Sequence, residues 1–171
     1  MKKLISLFLA LVLCLSVASA LATESPKTSD QYEVSEKFEI VTESELAEDV
    51  LEMLKVDDVN EFFGDVQIGD GETATLTEML GTDDITVEEC VGFAYEGDAE
   101  EPEEVTFVVP TKYAADEKVV VIIGVLVGDE IVWYAFEATV SENYEVTFEL
   151  PVEVLEAMKG NDCVVAIASA A

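Results

Sequence analysis

The chain has 171 residues, of which 38 are Asp or Glu and 8 are Lys, with no Arg, no His and a net charge of −30. Such a surface repels nucleic acid and anionic lipid, because both are bound through cationic side chains that neutralise phosphate. Without His the commonest general base near neutral pH is missing, and without Arg there is no bidentate clamp for phosphate or carboxylate.

In chain order, Lys2 and Lys3 precede the apolar run Leu4–Val17, and small residues follow. This reads as a secretory signal peptide over residues 1–22, with cleavage after Ala20 or Ala22. A retained anchor fits less well, since the run is short and no stop-transfer charge follows. Lipoprotein processing at Cys14 wants a small residue where Leu13 stands. The protein is therefore expected to be secreted, extracellular or on the cell surface, with no membrane contact after cleavage. Residues 23–37 are polar, include Pro26 and read as a flexible linker.

Phe38–Val41 reads as a short strand. Thr42 with Glu45 makes a capping-box pattern. Leu46, Val50, Met53 and Leu54 then follow at helical spacing, which predicts an amphipathic helix over Glu43–Lys55. Asp57 or Asp58 caps a second short helix running to Phe63 and closed by Gly64. Gly69-Asp70-Gly71 is a turn between two short strands. Asp65, Asp70 and Glu72 do not make an EF-hand, because Val66 and Ile68 occupy positions that must be ligands. Thr77–Leu80 is a helical turn ended by Gly81. Residues 38–81 thus read as a small helical or mixed N-terminal subdomain.

From Ile85 the period changes to two. Ile85, Val87, Val91, Phe93 and Tyr95 share one face, as one long strand or as two short ones joined by a bulge near Glu89. Gly97–Glu104 is an acidic loop. Val105–Val109 is a strand stopped by Pro110. Lys118–Val127 is apolar after its first residue and mostly β-branched, so it reads as a strand buried on both faces. Gly128-Asp129 is a tight turn leading into the strand Glu130–Glu137. Tyr144–Leu150 alternates cleanly between apolar and polar. Pro151 opens a helix bearing Val152, Leu155 and Met158, and Cys163–Ala168 is a last apolar strand.

Short strands at this spacing, with no crossover helices between them, predict an antiparallel sandwich over residues 85–171. V-T-F-V-V-P-T-K-Y (Val105–Tyr113), E-K-V-V-V-I-I-G-V-L (Glu117–Leu126), I-V-W-Y-A-F and the final Y-E-V-T-F-E-L-P and V-V-A-I-A-S resemble the uncharacterised Ig-like modules of exported Gram-positive bacterial proteins. The resemblance implies an Ig-like β-sandwich and an extracellular address, and it carries no functional residues. The expected fold is α+β, mainly β: a small helical N-terminal part followed by a C-terminal antiparallel Ig-like β-sandwich.

The chemistry on offer is sparse. Cys90 and Cys163 have no His to activate them. Carboxylate pairs for a hydrolase abound, so none stands out. Export permits a disulfide between Cys90 and Cys163; the alternative is two separate buried thiols. Calcium is the cation that the carboxylates best suit, with Asp98, Glu100, Glu101, Glu103 and Glu104 as its candidate ligands, though a charge run is more often a solvated face. Trp133 reads as core and Tyr113 as a surface aromatic. These observations predict a non-catalytic extracellular binding or structural module whose partner is a protein or a cation. The alternative is a secreted inhibitor or ligand of a basic protein, acting through the acidic loops. Thermal-shift titration tests the calcium loop: bound calcium raises the melting temperature with concentration as magnesium does not, and an unmoved melting temperature excludes the loop as a site.

Overall fold

The structure, a computed structural model, describes residues 33–69, 71–109 and 112–171. The predicted signal peptide and residues 23–32 of the predicted linker lie outside the described residues. The elements are β1 (Glu33–Val34), β2 (Phe38–Val41), α1 (Glu45–Leu54), α2 (Val59–Phe63), β3 (Val66–Gly69), β4 (Glu72–Ala74), α3 (Leu76–Leu80) and β5 (Ile85–Tyr95). They continue with β6 (Glu103–Val108), β7 (Lys118–Val127), β8 (Glu130–Thr139), β9 (Glu145–Leu150), α4 (Val152–Met158) and β10 (Cys163–Ala170). The fold is mainly β, and its strands pair antiparallel except where β3 meets β8.

The strands form a seven-stranded sheet, ordered β2-β5-β10-β7-β8-β3-β4, and a three-stranded sheet, ordered β1-β6-β9. β7 is the middle strand of the larger sheet, and its residues 119–123 and 125 are fully buried. Val119, Val121, Ile123 and Val125 face the small sheet, where Val105, Phe107, Val146 and Leu150 meet them. Val120 and Ile122 face the other way, onto Val50, Phe63, Leu76 and Met79 of the helical segment. Each buried Val or Ile contributes roughly 1.5–3 kcal/mol. A sandwich strand buries one face against the opposite sheet, and its second face needs a further layer. Here α1, α2 and α3 supply that layer.

Residues 38–81 therefore do not form a helical part standing before the sandwich, and this expectation is corrected. They carry α1–α3, but β2 pairs with β5, β3 pairs with β8, and β4 pairs with β3, all in the larger sheet. The predicted linker is also shorter than expected. Glu33 and Val34 pair with Val108 and Phe107, the Ser35 N–H donates to the Thr106 carbonyl at 3.2 Å, and Lys37 makes an ion pair with Glu103.

Local signals explain the helix ends. α1 is capped by Ser44, whose Oγ accepts from the Ala47 N–H at 3.2 Å, rather than by Thr42. Val41 still pairs with Gly92, so the chain is strand at the point where a Thr42 cap would have to turn. Asp58 caps α2. Thr75 and Glu78 form a full capping box on α3.

β5 carries a bulge. Cys90 faces Ala166 and Val87 faces Ala168, so three steps on β5 match two on β10. The extra residue reverses the alternation. Ile85 and Val87 pack on the helix side, whereas Val91, Phe93 and Tyr95 pack on the sandwich side, so these residues do not share one face.

Gly124 lies opposite Trp133. A Cβ at Gly124 would sit 2.3 Å from Trp133 Cζ3, so the glycine makes room for the indole. The ring meets Phe63 edge-on at 4.8 Å and Phe62 at 5.8 Å, which ties α2 to the sheet. Trp133 is thus a sheet-to-helix contact, in line with its reading as core. Gly124→Val must push the ring aside and is expected to cost about 1–3 kcal/mol in urea unfolding, as overpacked cores do. The fluorescence of the single tryptophan should move with it; unchanged stability and emission would show that the ring does not lodge against Gly124.

Candidate functional site

β3 touches β8 at one register position, Gln67 opposite Tyr134. Among the described residues no ladder covers the outer edge of β8 beyond that point. β9 is the edge strand of the small sheet. Between β8 and β9 lies an open groove of about 550 Å³. Ile68, Met79, Phe136 and Phe148 give it an apolar lining, and Glu78, Glu137 and Glu149 bring carboxylates to it.

Each element delivers its part for a local reason. In β9 the alternation turns Phe148 inward and leaves Glu149 exposed. Phe136 of β8 stacks on Phe148 with centroids 5.4 Å apart. The capping box holds α3 so that Glu78 and Met79 reach the same opening.

The three carboxylates differ in their bonding. Glu78 accepts from the Thr75 N–H at 2.9 Å and the Thr75 hydroxyl at 3.1 Å, and these hydrogen bonds hold its carboxyl below the usual range. Glu137 pairs with Lys118 at 2.8 Å, and the same ammonium donates to the Met79 carbonyl at 2.5 Å. Glu149 stands opposite Glu104 across the β6–β9 ladder. Like charges in that position repel. The groove can hold an apolar group and favours a cation beside it.

The predicted calcium ligands are spread out. Asp98, Glu100, Glu101 and Glu104 are exposed. Glu103 is drawn to Lys37, while the Asp98 carbonyl accepts from Lys159 Nζ at 3.3 Å. Ala99, buried at positive φ, donates its N–H to the Tyr95 hydroxyl at 3.0 Å and shapes this loop. Among the described residues, no three or more Cys, Asp or Glu side chains are grouped to hold a metal ion.

Of the two readings open for the cysteines, the structure has the two separate buried thiols: both are free. Cys90 belongs to the helix-side core and Cys163 to the sandwich-side core, so the sheet itself separates them. Burial pushes each thiol up to about 12, and Asp162 adds to the effect at Cys163. Neither is a ready nucleophile at neutral pH. Tyr113 is buried at 4 % exposure and is not a surface aromatic; a lysine, Lys112, lies over its ring at 5.3 Å.

The sequence reading missed the groove. Its residues come from β3, β4, α3, β8 and β9, and an aromatic alternating with an acid marks any half-exposed strand. The chain matches no protein-family model, no curated protein and no solved structure.

The thiols give a pH prediction. Their folded values lie above the ordinary 9.0, so the stability they contribute is complete below that value and is lost as pH rises toward about 12. Native protein should resist iodoacetamide at mildly alkaline pH, label at both Cys90 and Cys163 in concentrated urea, and melt identically with and without reductant. Fast labelling of either native thiol, or a melting temperature lowered by reductant, would contradict the arrangement.

Proposed function

We propose that this protein is a non-catalytic binding module, exported from the cell, that uses the groove between β8 and β9. The observation that carries the reading is the groove itself: an apolar lining with Glu78, Glu137 and Glu149 beside it, where β8 of the larger sheet meets β9, the edge strand of the smaller one. Ligand sites are concave and mostly apolar with a few convergent polar groups, and the groove has that make-up.

Several features support the wider reading. β6 and β9 pair in one sheet while β7, β8 and β10 pair in the other, an exchange of strands between sheets that suits an Ig-like sandwich. The N-terminal sequence fits export, and a strongly acidic chain without His or Arg fits an extracellular binder better than an enzyme. Both cysteines are buried and protonated at neutral pH.

The test is small-probe mapping by amide chemical shifts, using benzamidine, n-butylammonium and their uncharged analogues. Shifts should cluster at Ile68, Phe136, Glu137 and Phe148, and the cations should shift them more than the neutral probes. Probes scattered over the surface, with no cluster at these residues, would remove the groove as a binding site.

A further inference from the structure

The groove cuts across the layers of the fold, and its acids and its aromatic rings fall in different layers. Side chains alternate along β8. Glu137 therefore stands on the side of Ala135, toward the helices, and Phe136 on the other side, toward the sandwich interior. Glu78 belongs to α3 and lies on the helix side too, where Lys118 joins Glu137 to the Met79 carbonyl. Along β9, Val146, Phe148 and Leu150 point into the sandwich, so Glu149 is on the outer face of the small sheet. From one bank of the groove to the other the order is acid, apolar, acid: Glu78 and Glu137, then the Phe136–Phe148 stack, then Glu149.

Each bank can receive a cation. The Thr75 amide and hydroxyl both bond to Oε2 of Glu78, and a carboxylate has a second oxygen for a further donor. Glu137 is compensated by Lys118. Glu149 pairs with no lysine among the described residues and has Glu104 opposite it, so a cation there relieves a repulsion. The stacked rings between the banks give a charge no acceptor and suit a hydrocarbon chain instead.

This order selects a kind of ligand. A single ammonium group serves one bank and leaves the other unserved. Packed sheets lie about 10 Å apart, and the two banks flank that gap, so a ligand that serves both needs a spacer of comparable length. A second copy of this chain, with a net charge of −30, is repelled.

We infer that the groove takes a linear aliphatic diamine or polyamine, its methylene chain lying across the Phe136–Phe148 stack and its two end ammonium groups on Glu78 and Glu149. This inference rests on the groove being a binding site, as proposed above. The acids give the preference for two charges, and the apolar strip between them gives the preference for spacer length.

The experiment uses the chain as exported and five probes: diaminooctane, spermidine, diaminopropane, n-octylamine and octanediol. Binding is measured by calorimetry and located by amide shifts. Diaminooctane and spermidine should bind with a stoichiometry of one and shift Phe136, Phe148 and Glu149. Diaminopropane has the charges without the reach, n-octylamine has one charge, and octanediol has none; each should bind more weakly. Glu78→Gln and Glu149→Gln should each weaken diaminooctane about fivefold, the upper end for a partly exposed ion pair. Gln at position 78 still completes the capping box, and Gln at position 149 removes the repulsion with Glu104, so both variants should melt at or near the temperature of the parent. Attraction to acidic surface alone would make diaminopropane bind as well as diaminooctane, leave both variants unchanged and scatter the shifts; any of these results overturns the diamine reading. If n-octylamine binds in the groove as tightly as diaminooctane, the diamine reading is wrong and the binding module stands. If neither these probes nor the aromatic ones collect in the groove, both readings fall.

Discussion

The structure depends on burying both faces of the seven-stranded sheet. β7 and β10 lie at its centre, and their side chains alternate between two cores of different make-up. One core is the sandwich interior, closed by the small sheet and by Val154, Leu155 and Met158 of α4. The other lies under α1, α2 and α3. Removing either layer would expose a row of valines and isoleucines to water. Helices as short as α2 and α3, with five residues each, would not persist alone. Packing on the second face of the sheet holds them, with end caps from Asp58 and Thr75.

Two local irregularities let one sheet serve two cores. The bulge in β5 moves its apolar set from the helix side, at Ile85 and Val87, to the sandwich side, at Val91, Phe93 and Tyr95. A single extra residue achieves this because the side-chain period of a strand is two. Gly124 is the second irregularity. It removes one side chain from the most tightly packed strand, and the indole of Trp133 takes up the room and reaches α2.

Charge acts at the margins. The acids line outer faces, the loop Gly97–Glu104 and the open edges, while the few lysines hold particular junctions. Lys37 ties the N-terminal turn to Glu103, and Lys118 joins β7 to both Glu137 and the end of α3. The Glu104–Glu149 opposition is unfavourable for the ladder. It is offset by the inward row of Val105, Val146, Phe148 and Leu150 on the same two strands and by the hydroxyls of Thr106 and Thr147, which lie 2.9 Å apart.

Much of the secondary structure was legible in the sequence because its signals are local. The alternation in β9, the apolar run of β7, the Gly128-Asp129 turn, and the Asp58 and Gly64 ends of α2 each act within a few residues. The α1 cap was misplaced because Val41 is held in a long-range ladder with Gly92, and no local pattern reports that. The candidate site was not legible, since Ile68, Glu78, Phe136 and Phe148 converge from four elements. The amino-acid sequence by itself determined the acidity, the missing His and Arg, and which segments are strands, because these follow from composition and from the period of apolar residues. Tertiary structure alone decided that helices cover the second face of the sheet, that Cys90 and Cys163 lie on opposite sides of it, and that β8 and β9 line one groove. Those outcomes depend on which strands pair and in what register, and that is settled by burial summed over the whole chain.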